Sequence, residues 1–324
     1  MLSIPAYTEK FNTYLSQQVL GKNPVNLYEP INYILDLGGK RLRPVLTLMV
    51  TDMFGASHDQ ALDAALAIEV FHNFSLVHDD IMDDAPLRRG KQTVHEKWDI
   101  NRGILSGDTM LIRAYQLFES YHGDVFLALA KLFSKTAIAV CEGQQYDVDF
   151  ETRNNVTIPE YLMMIEYKTA VLIGAALKMG AIVANAQQKD QDFMYAFGRD
   201  LGIAFQLQDD YLDAFGDPES FGKQVGGDII ENKKTFLYLK TLQLLEDKKA
   251  KELVELFSST PENPEQKIIT VKEQFIASGA AKATQDEIEK YTQQAFAHLE
   301  AVKLSDDNKV ILRKFGEDLM NRTF

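Results

Sequence analysis

Hydrophobic residues recur every three or four positions through most of the chain. The clearest examples are the segments 27–35, 62–81 and 288–299, whose apolar residues follow a period near 3.6. This spacing places the apolar side chains on one face of an α-helix. No run of alternating apolar and polar residues indicates a strand, and no Asn-Gly or Asp-Gly pair indicates a hairpin. The pattern predicts an all-α protein.

Capping residues predict where two of these helices begin. Thr157 and Thr284 are each followed three positions later by a glutamate, Glu160 and Glu287, which is the arrangement of a capping box. Gly279 is expected to end the helix that precedes the second box.

Three glycine-containing stretches interrupt the helical pattern, at 38–44, 86–93 and 216–232, and the first two are rich in basic residues. A fourth stretch, 258–264, contains proline and is expected to be a connector. Since no repeat of solenoid length is visible, we expect residues 1–324 to form a single domain, a bundle of roughly a dozen helices.

Composition narrows the functional classes. The chain has 34 Lys and Arg residues against 47 Asp and Glu residues, a net charge of −13, which disfavours nucleic acid as a partner. Its single cysteine, Cys141, excludes an intrachain disulfide. No apolar run is long enough to span a membrane, and the first residues do not resemble a signal peptide. A cytoplasmic protein is expected.

Two aspartate clusters are the most informative feature. Asp79, Asp80 and Asp83 lie at the end of one predicted helix, and Asp209, Asp210 and Asp213 lie at the end of another. Within each cluster the first and last aspartates are four residues apart and share a helix face. Negative charges repel one another there, and the helix C-terminus is itself negative.

Such clusters are tolerable if they face each other across a cavity that holds cations. Each close pair of carboxylates would repel by about 4 kcal/mol at an effective dielectric of 20. Mg²⁺ suits this setting because it binds one or two carboxylates and completes its shell with water and phosphate oxygens. The simpler interpretation is a pair of solvated acidic helix ends. Apolar neighbours such as Val77, Phe205 and Leu212 make that interpretation less favourable.

Basic residues follow both clusters. Arg88 and Arg89 come after the first, and Lys223, Lys233 and Lys234 come after the second. Arginine pairs bind phosphate in a fork, and lysines add positive charge. Cations around an anionic metal site indicate a ligand that is phosphorylated and chelates metal, and diphosphate is the simplest such ligand.

At this point the sequence resembles the trans-isoprenyl diphosphate synthases, the polyprenyl synthetase family that includes farnesyl and geranylgeranyl diphosphate synthases. The first aspartate-rich motif of that family is similar to Leu76–Asp83 followed by Leu87–Gly90, and the second is similar to Phe205–Asp213. Gly38–Arg43, Lys168–Ala170 and Gly222–Lys233 follow in the family's order. The similarity covers about residues 38 to 235.

The resemblance implies the isoprenoid synthase fold, an all-helical bundle around a deep central cavity, usually in a homodimer. It implies a cofactor, Mg²⁺, at three ions per active site. The ions would bind Asp79, Asp83 and Asp209, and the supporting aspartates would be Asp80, Asp210 and Asp213. The substrates would be isopentenyl diphosphate and an allylic diphosphate (dimethylallyl, geranyl or farnesyl).

The resemblance also assigns the surrounding residues. The allylic diphosphate would contact Arg88, Lys168, Lys223 and Lys233. The diphosphate of isopentenyl diphosphate would contact Lys40, Arg43, His72 and Arg89. Thr169 and Gln206 would line the reacting carbons, and Gln144 and Asp147 would form a polar pair. Taken singly, Lys40 and Arg43 also fit an exposed loop, and His72 also fits a core position.

Product length depends on how far the prenyl tail extends. Five residues before Asp79 is about 7–8 Å down the helix, which places Phe74 as a candidate floor beside Ser75. Phe74 is equally compatible with an ordinary core position. One aromatic residue at these two positions resembles enzymes that make C20 products, so products of C15 to C20 are predicted, with C20 favoured.

Other functions share some of these features. A terpene cyclase has a helical fold and one similar aspartate motif, but usually carries an Asn/Ser/Glu metal motif in second place. A non-catalytic subunit of a heteromeric prenyltransferase would be expected to have degraded aspartate motifs. A calcium-binding helical bundle would not need Lys168, Arg88 and Arg89.

Overall fold

The structure is a computed structural model that describes residues 1–18, 21–217, 225–259 and 264–321. These residues are almost entirely helical, which confirms the all-α prediction. The helices are α1 (Ile4–Gln17), α2 (Val25–Asp36), α3 (Leu42–Met53), α4 (Leu62–Met82), α5 (Val94–Lys97), α6 (Ile100–Gln116), α7 (Gly123–Thr152), α8 (Ile158–Ile165), α9 (Val171–Val183), α10 (Gln188–Phe215), α11 (Gly227–Ile230), α12 (Phe236–Leu244), α13 (Asp247–Ser258), α14 (Pro264–Ala277), α15 (Ala280–Ala301) and α16 (Asp306–Met320). A π-helical turn, Glu166–Ala170, joins α8 to α9, and 3₁₀ turns form at His58–Ala61 and Leu117–Ser120.

The hydrophobic period correctly predicted three of the helices, α2, α4 and α15. Ile31 and Ile34 of α2, Leu66 and Val70 of α4, and Leu299 of α15 are all fully buried. The capping box at Thr157 is confirmed, because its side chain accepts from the Glu160 N–H and Glu160 accepts from the Thr157 N–H.

The capping box predicted at Thr284 is wrong. Helix α15 begins at Ala280, directly after Gly279, whose φ of 86° separates it from α14. Thr284 is buried inside α15 and donates its hydroxyl proton to the Ala280 carbonyl at 2.9 Å. The side chain therefore bonds back one turn along the helix and does not cap it.

All three predicted glycine-containing stretches include regular structure, and in the third, 216–232, residues Gly227–Ile230 form α11. Leu87–Arg88 and Lys91–Gln92 pair as the antiparallel strands β1 and β2, with Arg88 opposite Lys91. The turn residues Arg89 and Gly90 have φ of 53° and 72°, as a two-residue type I′ turn requires. The sequence signal was missed because Arg-Gly is not one of the common pairs in this turn. In the loop predicted at 38–44, Arg43 belongs to the first turn of α3.

The chain forms two compact units, one of Met1–Lys135 and Ala175–Tyr195, the other of Thr136–Gly174 and Ala196–Phe324. The expectation of one domain stays a prediction. None of the described helices combines the length and the apolar composition that a membrane span requires.

In the first unit, α4 packs against α3 and α6. Its residues from Ala64 to Phe71 are all buried, so helices surround the middle of α4 on every side. Glycines let α6 approach closely: a Cβ at Gly107 would lie 2.3 Å from Nε2 of His78. This packing fixes the C-terminal end of α4, which bears the first aspartate cluster.

In the second unit, one apolar core joins α8 to the C-terminal half of α10 and to α12–α15. Tyr161 of α8, Leu207 of α10 and Phe275 of α14 are almost completely buried in it. The core holds the last turns of α10, which bear the second aspartate cluster.

Candidate active site

The first aspartate cluster occupies the end of α4. Asp79 and Asp80 lie in its last turn, and Asp83 is the residue that ends the helix, with its N–H donating to the Asp79 carbonyl at 2.9 Å. Asp84 then takes a left-handed conformation, φ 48°, which turns the chain away from the helix axis. Asp79 is half-buried, Asp83 is exposed, and Asp80 is 1% exposed.

Asp80 is bound by Arg88 of the hairpin. The Nε of Arg88 lies 2.8 and 2.9 Å from the two carboxylate oxygens, and one terminal nitrogen lies 2.7 Å from Oδ1. Burial raises the pKa of Asp80, and the ion pair with Arg88 opposes that rise. The same terminal nitrogen is 3.7 Å from Asp79. Asp80 therefore positions Arg88 beside Asp79, one of the two outer aspartates of the cluster.

Arg89 of the same hairpin contacts the loop between α2 and α3. Its guanidinium donates to the carbonyl of Gly38. A Cβ on Gly39 would lie 2.8 Å from Arg89 Cζ, so only glycine leaves room for this contact. Lys40, next along the loop, is exposed. The structure thus brings Arg89 next to Gly38 and Gly39, and a shared ligand for Arg89 and Lys40 stays a prediction.

A basic group forms around His72 of α4. Burial lowers the pKa of His72 well below its usual range, and Arg43, Arg89 and Arg88 lower it further. The imidazole is therefore neutral at pH 7 and can donate one hydrogen bond. Burial also lowers the pKa of Arg43, whose Nε is buried and has no hydrogen-bond acceptor in the described part of the chain. An unsatisfied buried donor among cations indicates an anion-binding position.

A buried ion pair that sequence reasoning missed supports this group. Arg41, in a left-handed conformation before α3, donates to Glu69 Oε1 of α4 at 2.6 Å and to the Leu35 carbonyl at 2.5 Å. Both side chains are 4% exposed. The pair ties the loop that bears Lys40 to α4. A glutamate within the apolar stretch of α4 was the available signal, because a buried carboxylate needs a partner.

Phe74 is buried on α4, one turn before His78. Its ring lies 5.5 Å from the ring of Phe71 and 4.8 Å from that of His78. Ser75 is half-buried and donates to the His72 carbonyl at 2.8 Å. Phe74 therefore has the depth expected of a residue below the first cluster, and its role as a floor stays a prediction.

The second aspartate cluster lies in the last two turns of α10. Asp210 is 8% exposed, whereas Asp209 and Asp213 are half-buried. Asp210 accepts a short hydrogen bond from the Tyr161 hydroxyl and one of 2.9 Å from Gln206 Nε2. Burial raises its pKa to about 7, against the lowering effect of the Tyr161 and Gln206 hydrogen bonds. Its environment parallels that of Asp80, the middle aspartate of the first cluster.

A fourth carboxylate, Asp228, joins this cluster from α11. The Asp228 N–H donates to Asp213 Oδ1 at 3.0 Å, and the Gly226 N–H donates to the Asp213 carbonyl at 2.7 Å. Burial raises the pKa of Asp228 to about 8, and Asp210 and Asp213 add to the rise. Asp228 was noticed only as part of a matching segment, because its distance along the chain hid its proximity to Asp213.

Lys233 supplies positive charge beside Asp228. Its Nζ lies 3.9 Å from Asp228 Oδ1 and 2.9 Å from Glu231 Oε2. Although burial lowers the pKa of Lys233, Glu231 and Asp228 raise it above its usual value, so the side chain stays charged. Lys234, also expected near the cluster, instead donates to the carbonyls of Phe150 and Glu151 at the end of α7. Lys223 lies outside the described residues.

The π-helical turn presents Lys168 and Thr169. Lys168 Nζ lies 2.6 Å from Asp147 of α7, and Thr169 donates to Gln206 Oε1 at 3.3 Å. A Cβ on Gly143 would lie 2.2 Å from the Lys168 backbone nitrogen, so α7 packs directly against this turn. Single π turns often mark functional sites. The turn places Lys168 next to Thr169, which contacts Gln206, and the roles of these three residues stay a prediction.

The donor chemistry of both clusters suits a hard divalent cation. Each cluster offers carboxylate oxygens from residues one helical turn apart, and each has a basic side chain close by. Elevated pKa values at Asp210 and Asp228 indicate carboxylates that bound cations would stabilise. The two clusters belong to different compact units, and their placement across one cavity stays a prediction.

Comparison with known proteins adds independent information. A family model described as polyprenyl synthetase matches residues 24–274. The chain is 41% identical to a geranylgeranyl diphosphate synthase of Sulfolobus acidocaldarius over 74% of each protein. It is 39% identical to a geranylfarnesyl diphosphate synthase of Natronomonas pharaonis over 71% of this chain and 73% of that protein. A crystal structure of a geranylgeranyl pyrophosphate synthase matches with a TM-score of 0.95 and 55% identity over 99% of each chain.

Proposed function

The chain belongs to the polyprenyl synthetase family and is a short-chain trans-prenyltransferase, and from this premise we propose how its residues divide the reaction. The substrates are an allylic diphosphate and isopentenyl diphosphate. The observation that supports the assignment most strongly is the shared design of the two clusters. In each, a buried middle aspartate is hydrogen-bonded to neighbouring side chains, and the outer aspartates are more exposed.

In this proposal, Mg²⁺ would link the allylic diphosphate to the aspartates. Asp79, Asp83 and Asp209 would bind the ions, three in number by this proposal, and Asp80, Asp210 and Asp213 would support them. Carboxylate oxygens with room for water and phosphate oxygens are the donors that Mg²⁺ prefers. When bound, the ions neutralise charge on the diphosphate as it leaves.

Basic side chains stabilise the same leaving group. Arg88 is held beside Asp79 by Asp80, and Lys168 is held by Asp147. Lys233 stays charged beside Asp228, and Lys223 is the fourth cation of the proposal. When the allylic carbon–oxygen bond breaks, its electron pair leaves with the diphosphate. Preorganised cations lower the energy of that separated charge.

The second diphosphate binds at the basic group of the first unit. Lys40, Arg43, His72 and Arg89 form this site, with Arg43 Nε and the neutral His72 ring as donors. Two anion sites favour condensation of two diphosphates over cyclisation of one, since a terpene cyclase binds a single diphosphate.

Thr169 and Gln206 face the allylic cation. Their mutual hydrogen bond and the bond from Gln206 to Asp210 fix the direction of the Gln206 amide dipole. The alkene of isopentenyl diphosphate attacks the cation, a carbon–carbon bond forms, and one proton leaves. We assign the departing diphosphate as its acceptor. A pH–rate profile with an essential base that disappears in His72→Ala would contradict this assignment.

Product length is set by Phe74, and we propose C15 to C20 products with C20 favoured. We propose a homodimer as well. Ile104, Leu105 and Ile112 of α6 are exposed, as are Phe126 and Leu127 of α7, and exposed apolar residues in this number fit an interface. A cytoplasmic location completes the proposal, in keeping with the single cysteine.

The decisive assay incubates the protein with Mg²⁺, labelled isopentenyl diphosphate and either dimethylallyl or farnesyl diphosphate. Elongated prenyl diphosphate is the expected product, and chromatography gives its chain length. Hydrocarbon formed from farnesyl diphosphate alone would instead identify a cyclase. Absence of any product would identify a non-catalytic subunit or a binding protein. Asp209→Asn should abolish elongation, whereas Asp286→Asn, at an exposed position of α15, should not.

A further inference from the structure

His95 is a buried histidine that the proposed reaction does not use. It lies on α5, just after the hairpin, and its side chain is 5% exposed. Both ring nitrogens are buried, and neither has a hydrogen-bond partner among the residues that the structure describes. Because a buried polar group without a partner costs free energy, such a histidine requires an explanation.

Two carboxylates lie just beyond hydrogen-bonding distance of its Nε2. Asp84 Oδ1 is 3.9 Å away and Glu96 Oε1 is 3.8 Å away. One ligand atom from each of the three residues lies within 4.8 Å of the others. Ligand atoms that share one ion at about 2.0–2.2 Å are themselves roughly 3–4 Å apart. The observed gaps match a position for an ion better than direct contacts.

We propose that Asp84, His95 and Glu96 form a binding site for a divalent transition-metal ion, with Zn²⁺ as its representative. Imidazole nitrogen is a ligand that Zn²⁺ accepts readily, whereas Mg²⁺ prefers oxygen donors alone. The site therefore differs in chemistry from the two aspartate clusters. Three protein ligands leave at least one coordination position for water.

The site would close the base of the β1–β2 hairpin. Asp84 precedes the hairpin, and His95 and Glu96 follow it. The same base is already fastened by Thr93, whose hydroxyl donates to the Ala85 carbonyl at 2.7 Å and whose N–H donates to the Pro86 carbonyl at 3.2 Å. A bound ion would add a third link across a hairpin that carries Arg88 and Arg89.

The movement needed to bind an ion is small and falls on accessible groups. The Asp84 side chain is 97% exposed and that of Glu96 is 46% exposed, so both can shift toward a fixed His95 ring. The site thus combines one rigid ligand with two adjustable ones, and nothing buried has to rearrange.

Zn²⁺ binding to the full-length enzyme in excess Mg²⁺ tests the proposal. Calorimetric titration and metal analysis after dialysis give the number of ions per chain. The wild type should bind one more Zn²⁺ per chain than His95→Gln, and Asp84→Asn and Glu96→Gln should each weaken that binding by at least about tenfold. The melting temperature should rise with Zn²⁺ in the wild type and not in Asp84→Asn.

Asp108→Asn is the matched control. Asp108 is an exposed carboxylate 4.0 Å from His78, but the His78 Nε2 already contacts the Ile104 carbonyl at 3.2 Å. This variant should bind Zn²⁺ as the wild type does. Equal Zn²⁺ binding by the wild type, Asp84→Asn and His95→Gln would overturn the proposal, as would the absence of Zn²⁺ binding in excess Mg²⁺. Asp84→Asn keeps the test valid if the buried His95 variant fails to fold.

Discussion

Arg88 binds both carboxylate oxygens of Asp80, at 2.8 and 2.9 Å from its Nε. The corresponding aspartate of the second cluster, Asp210, is likewise buried and accepts hydrogen bonds from Tyr161 and Gln206. The middle aspartate of each cluster therefore positions neighbouring side chains. We propose that the outer aspartates, which are more exposed, bind the cation and its diphosphate.

Replacing Asp80 by Asn should release Arg88 and lower kcat/KM for the allylic diphosphate by about 100-fold, the size of effect seen when one preorganised donor is lost. Arg88→Gln should have a similar effect. The double variant should be little worse than either single one, because both remove the same interaction. Steady-state kinetics on the four proteins measures this coupling. Lys91→Gln, which removes an exposed cation opposite Arg88 in the hairpin, is the control and should remain active. Additive losses would contradict the pairing.

Replacing Tyr161 by Phe should make the apparent affinity for Mg²⁺ decrease more strongly as pH falls. The Tyr161 hydroxyl lowers the pKa of Asp210, which burial raises to about 7. Without that hydroxyl the pKa should rise further, and more of the Asp210 carboxyl will be protonated at neutral pH. The apparent affinity for Mg²⁺ should then fall by about fivefold at pH 7 for the first unit of rise, and recover at higher pH. Tyr238→Phe, another buried tyrosine, should leave the profile unchanged.

His72 should make the folded protein sensitive to acid. Its pKa in the folded state lies well below the usual value of about 6.5, so the unfolded chain takes up a proton first as pH falls. Stability should therefore be unaffected above about pH 6.5 and should decrease below it. Urea denaturation of the wild type and His72→Gln at about pH 7 and pH 5 gives the difference. The variant should lose less stability on acidification. His122→Gln, at an exposed position, should behave as the wild type does.

Replacing Phe74 by Ala should lengthen the product, because the side chain that we propose as the floor for the prenyl tail becomes smaller. As Phe74 is 8% exposed, the change should also lower the free energy of unfolding by about 3–5 kcal/mol. Phe118→Ala is the matched control, since Phe118 is fully buried in the same unit but lies after α6. It should cost similar stability without altering chain length. An unchanged product spectrum in Phe74→Ala would remove this residue as the floor.

Replacing Gly143 by Ala should displace the π-helical turn. The new Cβ would lie 2.2 Å from the Lys168 backbone nitrogen and 2.7 Å from the Tyr167 carbonyl carbon, and backbone atoms cannot rotate away. We expect kcat to fall by at least about tenfold, since Lys168 and Thr169 move together. Gly316→Ala is the control, because its Cβ would meet the Phe296 ring at 2.9 Å, far from either cluster in sequence. Equal activity of Gly143→Ala and Gly316→Ala would contradict a role for the turn.

Part of the site could be predicted because it is local in sequence. Asp79 and Asp83 are one helical turn apart, so the period of α4 alone places them on one face. Arg88 and Arg89 follow within a few residues. Thr284 shows the limit of such reasoning. Helix α15 continues through the capping sequence at Thr284, so packing and not the local sequence determines where this helix begins.

The remainder of the site required distant segments to be brought together. Glu69 of α4 binds Arg41, which precedes α3. Tyr161 donates to Asp210, 49 positions further along the sequence, and the Asp228 N–H donates to Asp213, 15 positions before it. Spacing along the sequence does not predict these contacts. They depend on how the helices pack and on which side chains the packing buries.

The sequence by itself determined the helical class, the two acidic clusters and the need for cations near them, since helix period and charge repulsion are local properties. The tertiary structure decided which aspartate of each cluster is buried, that His72 is neutral, and that His95 lacks a hydrogen-bond partner among the described residues. Those outcomes depend on desolvation, and desolvation is defined only once the helices have packed.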